Sequence, residues 1–228
     1  MYRLHIANRN YSSWSLRPWL LMSELGIGFD EVLVPFGQGD FREFSPTGKV
    51  PCLHDTAGDQ PVIVWDSLAI TEHLAERHPQ VWPEAAAARA WARSACAEMH
   101  AGFGALRQTC TMNCGLRIRL HAWPAEVKAD WQRVEALWAE GLQRFGGPFL
   151  AGDRFTAVDA FFAPLALRAQ TYSPELSESA QTCVQRMLAL PGMRRWYEQA
   201  LAEPWRDEPH EADARGKGEW LEDLRQAG

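Results

Sequence analysis

The first eighty residues mix two hydrophobic periods. Tyr2, Leu4 and Ile6 alternate with Arg3 and His5, which predicts a half-buried strand. Leu16 to Leu25 is an apolar helical stretch closed by Gly26. Glu31 to Val34 predicts a second strand ended by Pro35, and a short helix is expected near Phe41 to Phe44. Cys52-Leu53-His54 and Val62-Ile63-Val64 flank the turn-rich run Thr56 to Gln60, a hairpin pattern. Leu68 to Arg77 then reads as a helix. The predicted order is β-α-β, a loop, then β-β-α.

Beyond His78-Pro79-Gln80-Val81-Trp82-Pro83, strand patterning nearly vanishes. Glu84 to about Thr109 is Ala-rich and helical. Val127, Trp131, Val134, Leu137, Trp138 and Leu142 have helical spacing within Pro124 to Phe145, ended by Gly146-Gly147-Pro148. Helices over Thr156 to Leu167, Gln181 to Leu190 and Pro191 to Leu201 follow. From Pro204 onward the chain is polar apart from Trp205, Trp220 and Leu221. The expectation is a small α/β domain over 1–79, a linker over 80–88 and an all-helical domain over 89–228. There is no internal repeat.

Composition narrows the function classes. The 228 residues are 46% hydrophobic and 23% charged, which excludes wholesale disorder. A net charge of −6 argues against nucleic-acid or anionic-membrane binding as the main task. Ala160 to Leu167, broken by Pro164, is far short of the roughly 20 apolar residues of a membrane span. Met1 to His5 lacks the start of a secretory signal. The cysteines, Cys52, Cys96, Cys110, Cys114 and Cys183, include no CxxC pair and no zinc-finger spacing. A reduced, cytoplasmic protein without a disulfide scaffold or a metal is expected. Cys110 and Cys114 read as packing residues, and His73 and His78 as helix-surface residues.

Four stretches carry candidate chemistry. Tyr11-Ser12-Ser13-Trp14-Ser15-Leu16-Arg17-Pro18 joins the first strand to the first helix. Its hydroxyls crowd a helix N-terminus, where free N–H groups and the dipole favour an anion. Pro18 is tolerated in a first turn. Simple capping accounts for one of these serines equally well. In Gly48-Lys49-Val50-Pro51-Cys52-Leu53 the proline opens a strand, where no ladder N–H is needed. In Trp65-Asp66-Ser67-Leu68, Ser67 at a helix start suits a carboxylate and Asp66 suits an ammonium, with capping again the structural alternative. Thr156 and Asp159 have capping-box spacing, with Phe155 placed to staple onto Ala160, and read as structural.

In this order and at these spacings the four stretches resemble the glutathione S-transferase superfamily, over nearly the whole chain. The resemblance implies a thioredoxin-like N-terminal domain followed by an all-helical C-terminal domain. It implies glutathione as co-substrate, no metal, a small electrophilic second substrate, a detoxification role and a homodimer. Ser12-Ser13-Trp14-Ser15 with Arg17 looks like the serine motif of the zeta-like classes, and Ser12 takes the place of their catalytic serine. Ser13, Trp14 and Lys49 would adjoin glutathione. Val50-Pro51 matches the family's cis-proline, whose preceding backbone pairs with the cysteinyl part. Asp66-Ser67 matches the pair that grips the γ-glutamyl end, and Thr156 to Asp159 matches the family's folding capping box. Two departures stand out. The zeta pattern has Cys where this chain has Trp14, which argues against maleylacetoacetate isomerisation. Redox relatives carry a cysteine at the first helix, whereas Ser12 to Arg17 holds none, so the reacting thiol would be brought by glutathione.

The implied activity is a glutathione transferase. A free thiol has a pKa of about 8.5 and is mostly protonated at neutral pH. Ser12 Oγ–H would donate to the sulfur, aided by N–H groups near Ser13 and Trp14. Tyr11, Ser13 and Ser15 remain alternative donors. The electrophile side is expected from the helical half and its edge: Tyr11, Phe103, Arg107, Met112 and Asn113. Gly102 and Gly104 leave room there for a ligand or for a neighbouring helix. A glutathione-dependent isomerase or peroxidase, and a non-catalytic glutathione-binding carrier, are the alternatives.

Overall fold

The computed structural model describes residues 1–58 and 60–225. Asp59, inside the expected turn, and residues 226–228 lie outside the described residues. A central strand β1 (Tyr2–Ile6) pairs parallel with β2 (Phe29–Leu33) and antiparallel with β3 (Cys52–Asp55). Strand β3 pairs antiparallel with β4 (Val62–Val64), giving the order β2-β1-β3-β4. Helix α1 (Ser13–Glu24) carries the chain from β1 to β2, and α2 (Ser67–Ala75) follows β4. Strand β2 begins at Phe29, earlier than the pattern predicted, because Phe29 packs edge-on against Trp19 at 6.4 Å. The alternation in β1 buries Leu4 and Ile6 completely, against Leu16, Leu20 and Leu21 of α1 in one core. Each such side chain contributes about 1.5–3 kcal/mol of transfer free energy.

The second half is built from α3 (Ala86–Ala101), α4 (Gly104–Thr109), α5 (Ala125–Phe145), α6 (Ala157–Tyr172), α7 (Glu178–Ala189) and α8 (Pro191–Ala202). The single helix expected over Glu84 to Thr109 breaks at Gly102-Phe103. Gly102 is extended, and Phe103 is left-handed at φ 57°. A Cβ on Gly102 would stand 2.8 Å from the Glu98 carbonyl oxygen, so the break needs glycine. Nearly every residue of α6 is buried. Its start is fixed by Asp159, which accepts from the Leu150 and Thr156 N–H groups, both at 2.9 Å. Helix α6 packs along α1, so one apolar core runs through both halves.

The helical half carries an addition that the pattern reading did not anticipate. The polar end of the chain folds into α9 (Glu208–Lys217) and β6 (Gly218–Asp223). Strand β6 pairs antiparallel with β5 (Leu116–Leu120), forming a two-stranded ribbon. Leu116, Ile118 and Leu120 turn inward, while Arg119 pairs with Glu219 at 2.8 Å. Among the described residues, no helix is long and apolar enough to cross a membrane.

Candidate functional site

Register gathers three connections at one end of the sheet. His5 lies opposite Cys52, and Leu53 opposite Val64. The end of β1, the start of β3 and the end of β4 are therefore neighbours. The chain leaving β1 runs into α1, the chain entering β3 is Val50-Pro51, and the chain leaving β4 is Trp65-Asp66-Ser67. The Val50–Pro51 and Trp65–Asp66 peptide bonds are both cis. Lys49 here is exposed, Val50 half-buried and Pro51 buried.

The three serines are used differently. Ser12 caps α1: its Oγ accepts from the Ser15 N–H at 3.4 Å and donates to Ser15 Oγ at 2.7 Å. Ser15 Oγ also accepts from the Ala7 N–H at 3.3 Å, which ties α1 to the end of β1. Ser13 Oγ instead accepts from Arg168 Nη2 of α6 at 3.4 Å. At α2 the cap is Asp66, whose Oδ1 accepts from the Leu68 N–H at 3.0 Å. Its Oδ2 lies 3.2 Å from His100 Nε2 of α3. Ser67 is fully buried at the helix start, and its Oγ has no partner among the described residues.

Trp14, half-buried, sits between these groups. The Arg17 guanidinium lies 4.1 Å from its ring centroid, that of Arg107 5.3 Å away, and the His100 ring 5.2 Å away edge-on. Arg17 is 1% exposed and also lies over Phe161 at 5.0 Å. Arg168 is 3% exposed, and its Nε donates to the Cys110 carbonyl at 2.7 Å. Among the described residues, none of these three arginines makes an ion pair with a carboxylate. Burial, with Arg168 and Arg107 adding like charge, pulls Arg17 down to about 9. Burial likewise pulls Arg168 down to about 10 and lowers Arg107.

The electrophile-side residues divide. Arg107 stands beside Trp14. Tyr11 faces away: its hydroxyl donates to Glu211 Oε1 at 2.6 Å, and its ring stacks on His210 at 4.9 Å. Burial and that hydrogen bond raise the Tyr11 phenol far above its ordinary value. Phe103 and Met112 are buried in the core. Asn113 shapes a turn, its Oδ1 accepting from the Gly115 and Leu116 N–H groups at 3.2 Å. His73 is paired with Asp55 at 2.9 Å. His100 lies within the stretch Met99 to Arg107 that the sequence offers for the electrophile side, whereas Arg168 was missed. Arg168 had a signal: apart from Asp159 it is the one charged residue in the apolar stretch that forms α6.

Burial raises all five protein thiols, Cys110 to about 11. They are therefore held as thiols at neutral pH. Among the described residues no His, Cys, Asp and Glu group could hold a metal ion. A cleft of about 1100 Å³ opens beside Glu24 and Leu25, with Trp82, Phe145 and Phe155 in its walls. It lies at the opposite end of α1 from Ser12, roughly 18 Å along the helix axis, and contains none of the residues above.

Known proteins place this arrangement in a family. Residues 11–77 match the family model for the glutathione S-transferase N-terminal domain, and residues 84–199 match that for its C-terminal domain. The chain belongs to the glutathione S-transferase superfamily. Within the superfamily it is similar to the disulfide-bond oxidoreductase YghU of Escherichia coli, at 25% identity over 176 residues. That match covers 72% of this chain and 58% of the length of YghU. Among solved structures, a Burkholderia glutathione transferase homologue with bound glutathione superimposes with a TM-score of 0.64 at 19% identity, covering 87% of this chain and 97% of the other. The yeast protein Ure2p in complex with glutathione gives 0.66 at 18%, covering 87% and 94%. A theta-class enzyme of Xanthomonas axonopodis pv. citri with glutathione bound gives 0.61 at 23%, covering 86% and 96%. At these identities the likeness shows the shared fold.

Proposed function

We propose that this chain binds glutathione at the end of the sheet where α1 and α2 begin, and is a glutathione transferase. The observation that carries this reading is the convergence there of the α1 start, Val50-Pro51 and the uncommitted, fully buried Ser67 hydroxyl at the α2 start. Ser67 and the first N–H groups of α2 would take the γ-glutamyl carboxylate, and Asp66 its ammonium. The Val50 backbone would pair with the cysteinyl part, which directs the sulfur toward the first turn of α1. Ser12, Ser13 and Trp14 form that turn. The thiol loses its proton to water, and the sulfur then forms a C–S bond to the electrophile as the leaving group departs with its electron pair. Depressing the thiol pKa by one unit requires about 1.4 kcal/mol, within reach of one charge-assisted hydrogen bond.

The superfamily relative named as a disulfide-bond oxidoreductase favours a second reading. The same thiolate would attack a disulfide sulfur, forming a mixed disulfide and releasing the other half as a thiolate. A cytoplasmic homodimer is part of the proposal, and mass in solution tests the dimer. The deciding experiment pairs calorimetric titration of glutathione with turnover of 1-chloro-2,4-dinitrobenzene and of hydroxyethyl disulfide. Binding with turnover of the chloroarene supports the transferase, and turnover of the disulfide alone supports the second reading. Binding without turnover would leave a carrier, and absence of binding would overturn all three.

A further inference from the structure

Two buried guanidiniums, Arg17 and Arg168, and the half-buried one of Arg107 stand beside the first turn of α1, with no carboxylate in ion-pair contact among the described residues. Several of their donors lack partners among the described residues: Arg17 Nε and Nη1, Arg168 Nη1 and Arg107 Nε. Like charges gathered at low dielectric oppose one another, and unmade charge-assisted hydrogen bonds are costly. An anion relieves both. The hydroxyls nearby are not equivalent. The Ser12 proton is directed at Ser15 Oγ, which already accepts from Ala7 and is fully buried. Ser13 Oγ accepts from Arg168, which leaves its own proton free and makes that proton a stronger donor.

We propose that Arg168, acting through Ser13 and backed by Arg17 and Arg107, holds the glutathione sulfur as thiolate, so that Ser13 rather than Ser12 is the hydroxyl facing it. The proposal rests on the reading that glutathione binds here. Ser13 then touches the reacting sulfur, and Arg168 is a positioning residue. The thiol proton leaves to water, the electron pair stays on sulfur, and neither Ser13 nor Arg168 changes protonation.

The groups facing this cluster come from five elements and the loop after α4. Arg168 meets Tyr172 of its own helix, Cys110 at the end of α4, Cys114 beyond it, and Arg107. Arg17 meets Cys96 of α3 and Asp66 at the α2 start. Arg107 meets Asp130 of α5. Burial raises Tyr172 to about 12 and raises the three thiols, so none of these four titrates between pH 6 and 9. His100 is the imidazole against Trp14.

The ultraviolet absorbance of bound glutathione thiolate, followed against pH, reads its pKa without any electrophile. In the unsubstituted protein that pKa is expected about one to two units below the free value of about 8.5. Arg168→Gln and Ser13→Ala are each expected to raise it by about one unit, a tenfold loss of thiolate on the acid side. Arg168→Lys keeps the charge and should recover most of the shift. Ser12→Ala should raise it less than Ser13→Ala. The thiolate step must persist in His100→Gln. An unmoved pKa in folded, glutathione-binding Arg168→Gln overturns the proposal and leaves glutathione binding standing. A larger shift in Ser12→Ala than in Ser13→Ala also overturns it. Should Arg168→Gln fail to fold, Arg107→Met, at the half-exposed member, takes its place, with an unmoved pKa again decisive. No glutathione binding by the unsubstituted protein would overturn both readings.

Discussion

Two arginine clusters, buried or largely so, adjoin the segment from Arg9 to Arg17, and they differ in what faces the charge. Behind the segment, Arg9 lies on Glu203 at 3.2 Å and also on Glu31, while Arg225 lies on Glu211 at 2.5 Å and Asp223 at 2.6 Å. Tyr11 donates into the same group through Glu211, and Trp196 Nε1–H donates to the Arg9 carbonyl at 3.1 Å. Arg9 and Arg225 there each meet two carboxylates. In front, Arg17, Arg107 and Arg168 contact aromatic faces, a carbonyl and a hydroxyl, and Asp66 and Asp130 act on Arg17 and Arg107 without forming an ion pair. A buried charge that is paired fastens one part of a chain to another. A buried charge that is unpaired costs stability. The rear cluster closes α9 and β6 onto the N-terminal half. In the proposed reading, the front cluster would face the glutathione sulfur.

The largest expected effect lies in the rear cluster. Glu211→Ala strips acceptors from Arg225 and Tyr11, both buried, and should lower unfolding free energy by about 3 kcal/mol. Urea denaturation at constant m-value measures this, while activity per folded molecule should be retained. Burial by itself would raise the Glu211 carboxyl, but hydrogen bonds from Arg225 and Tyr11 outweigh it and hold it below the ordinary value. Its contribution is therefore present above pH 4.5 and is lost as acid protonates it. The gap between the two proteins should narrow on acidification. A loss under about 1 kcal/mol at pH 7 would remove the contrast between the clusters.

The front cluster should respond in the opposite sense. Arg107→Met removes one of three like charges and keeps an apolar stem against Trp14. Thermal stability should stay level or rise, by up to about 1 kcal/mol, while turnover falls about tenfold or more. Destabilisation as deep as that of Glu211→Ala would mean that both clusters only hold the chain together. Paired melting curves and kcat/KM values decide this.

The sequence told these two regions apart only in part. The α1 start, Val50-Pro51 and Asp66-Ser67 were legible because each is a short local motif beside a periodic element. The capping residue at α2 was not, because Asp66 and Ser67 are both suitable and only the observed bond to Leu68 selects Asp66. Alternation in Leu116-Arg117-Ile118-Arg119-Leu120 was there to be read as a strand. Its partner lies a hundred residues later in a polar stretch, where Trp220 opposite Ile118 is the main apolar mark. Tyr11 looked like a site residue because of its position beside Ser12. The carboxylate that captures it, Glu211, is two hundred residues away and beyond any local pattern.

The smallest effect concerns glutathione affinity. If the front cluster favours the bound thiolate, binding releases a proton wherever the bound thiol is ionised and the free thiol is not. The association constant must then rise with pH between the bound pKa and the free value near 8.5, by up to tenfold for each unit separating them. S-methylglutathione has no thiol proton and should show no such rise. Its ammonium and carboxylates titrate as those of glutathione do, so the ratio of the two affinities isolates the sulfur. Arg107→Met should shrink the pH-dependent part of that ratio, and Glu211→Ala should leave it intact, since the rear carboxylates neutralise their own cations. Calorimetric titration of both ligands across pH 6 to 9 tests the point. A ratio that is flat in the unsubstituted protein would mean that the three front arginines do not see the sulfur.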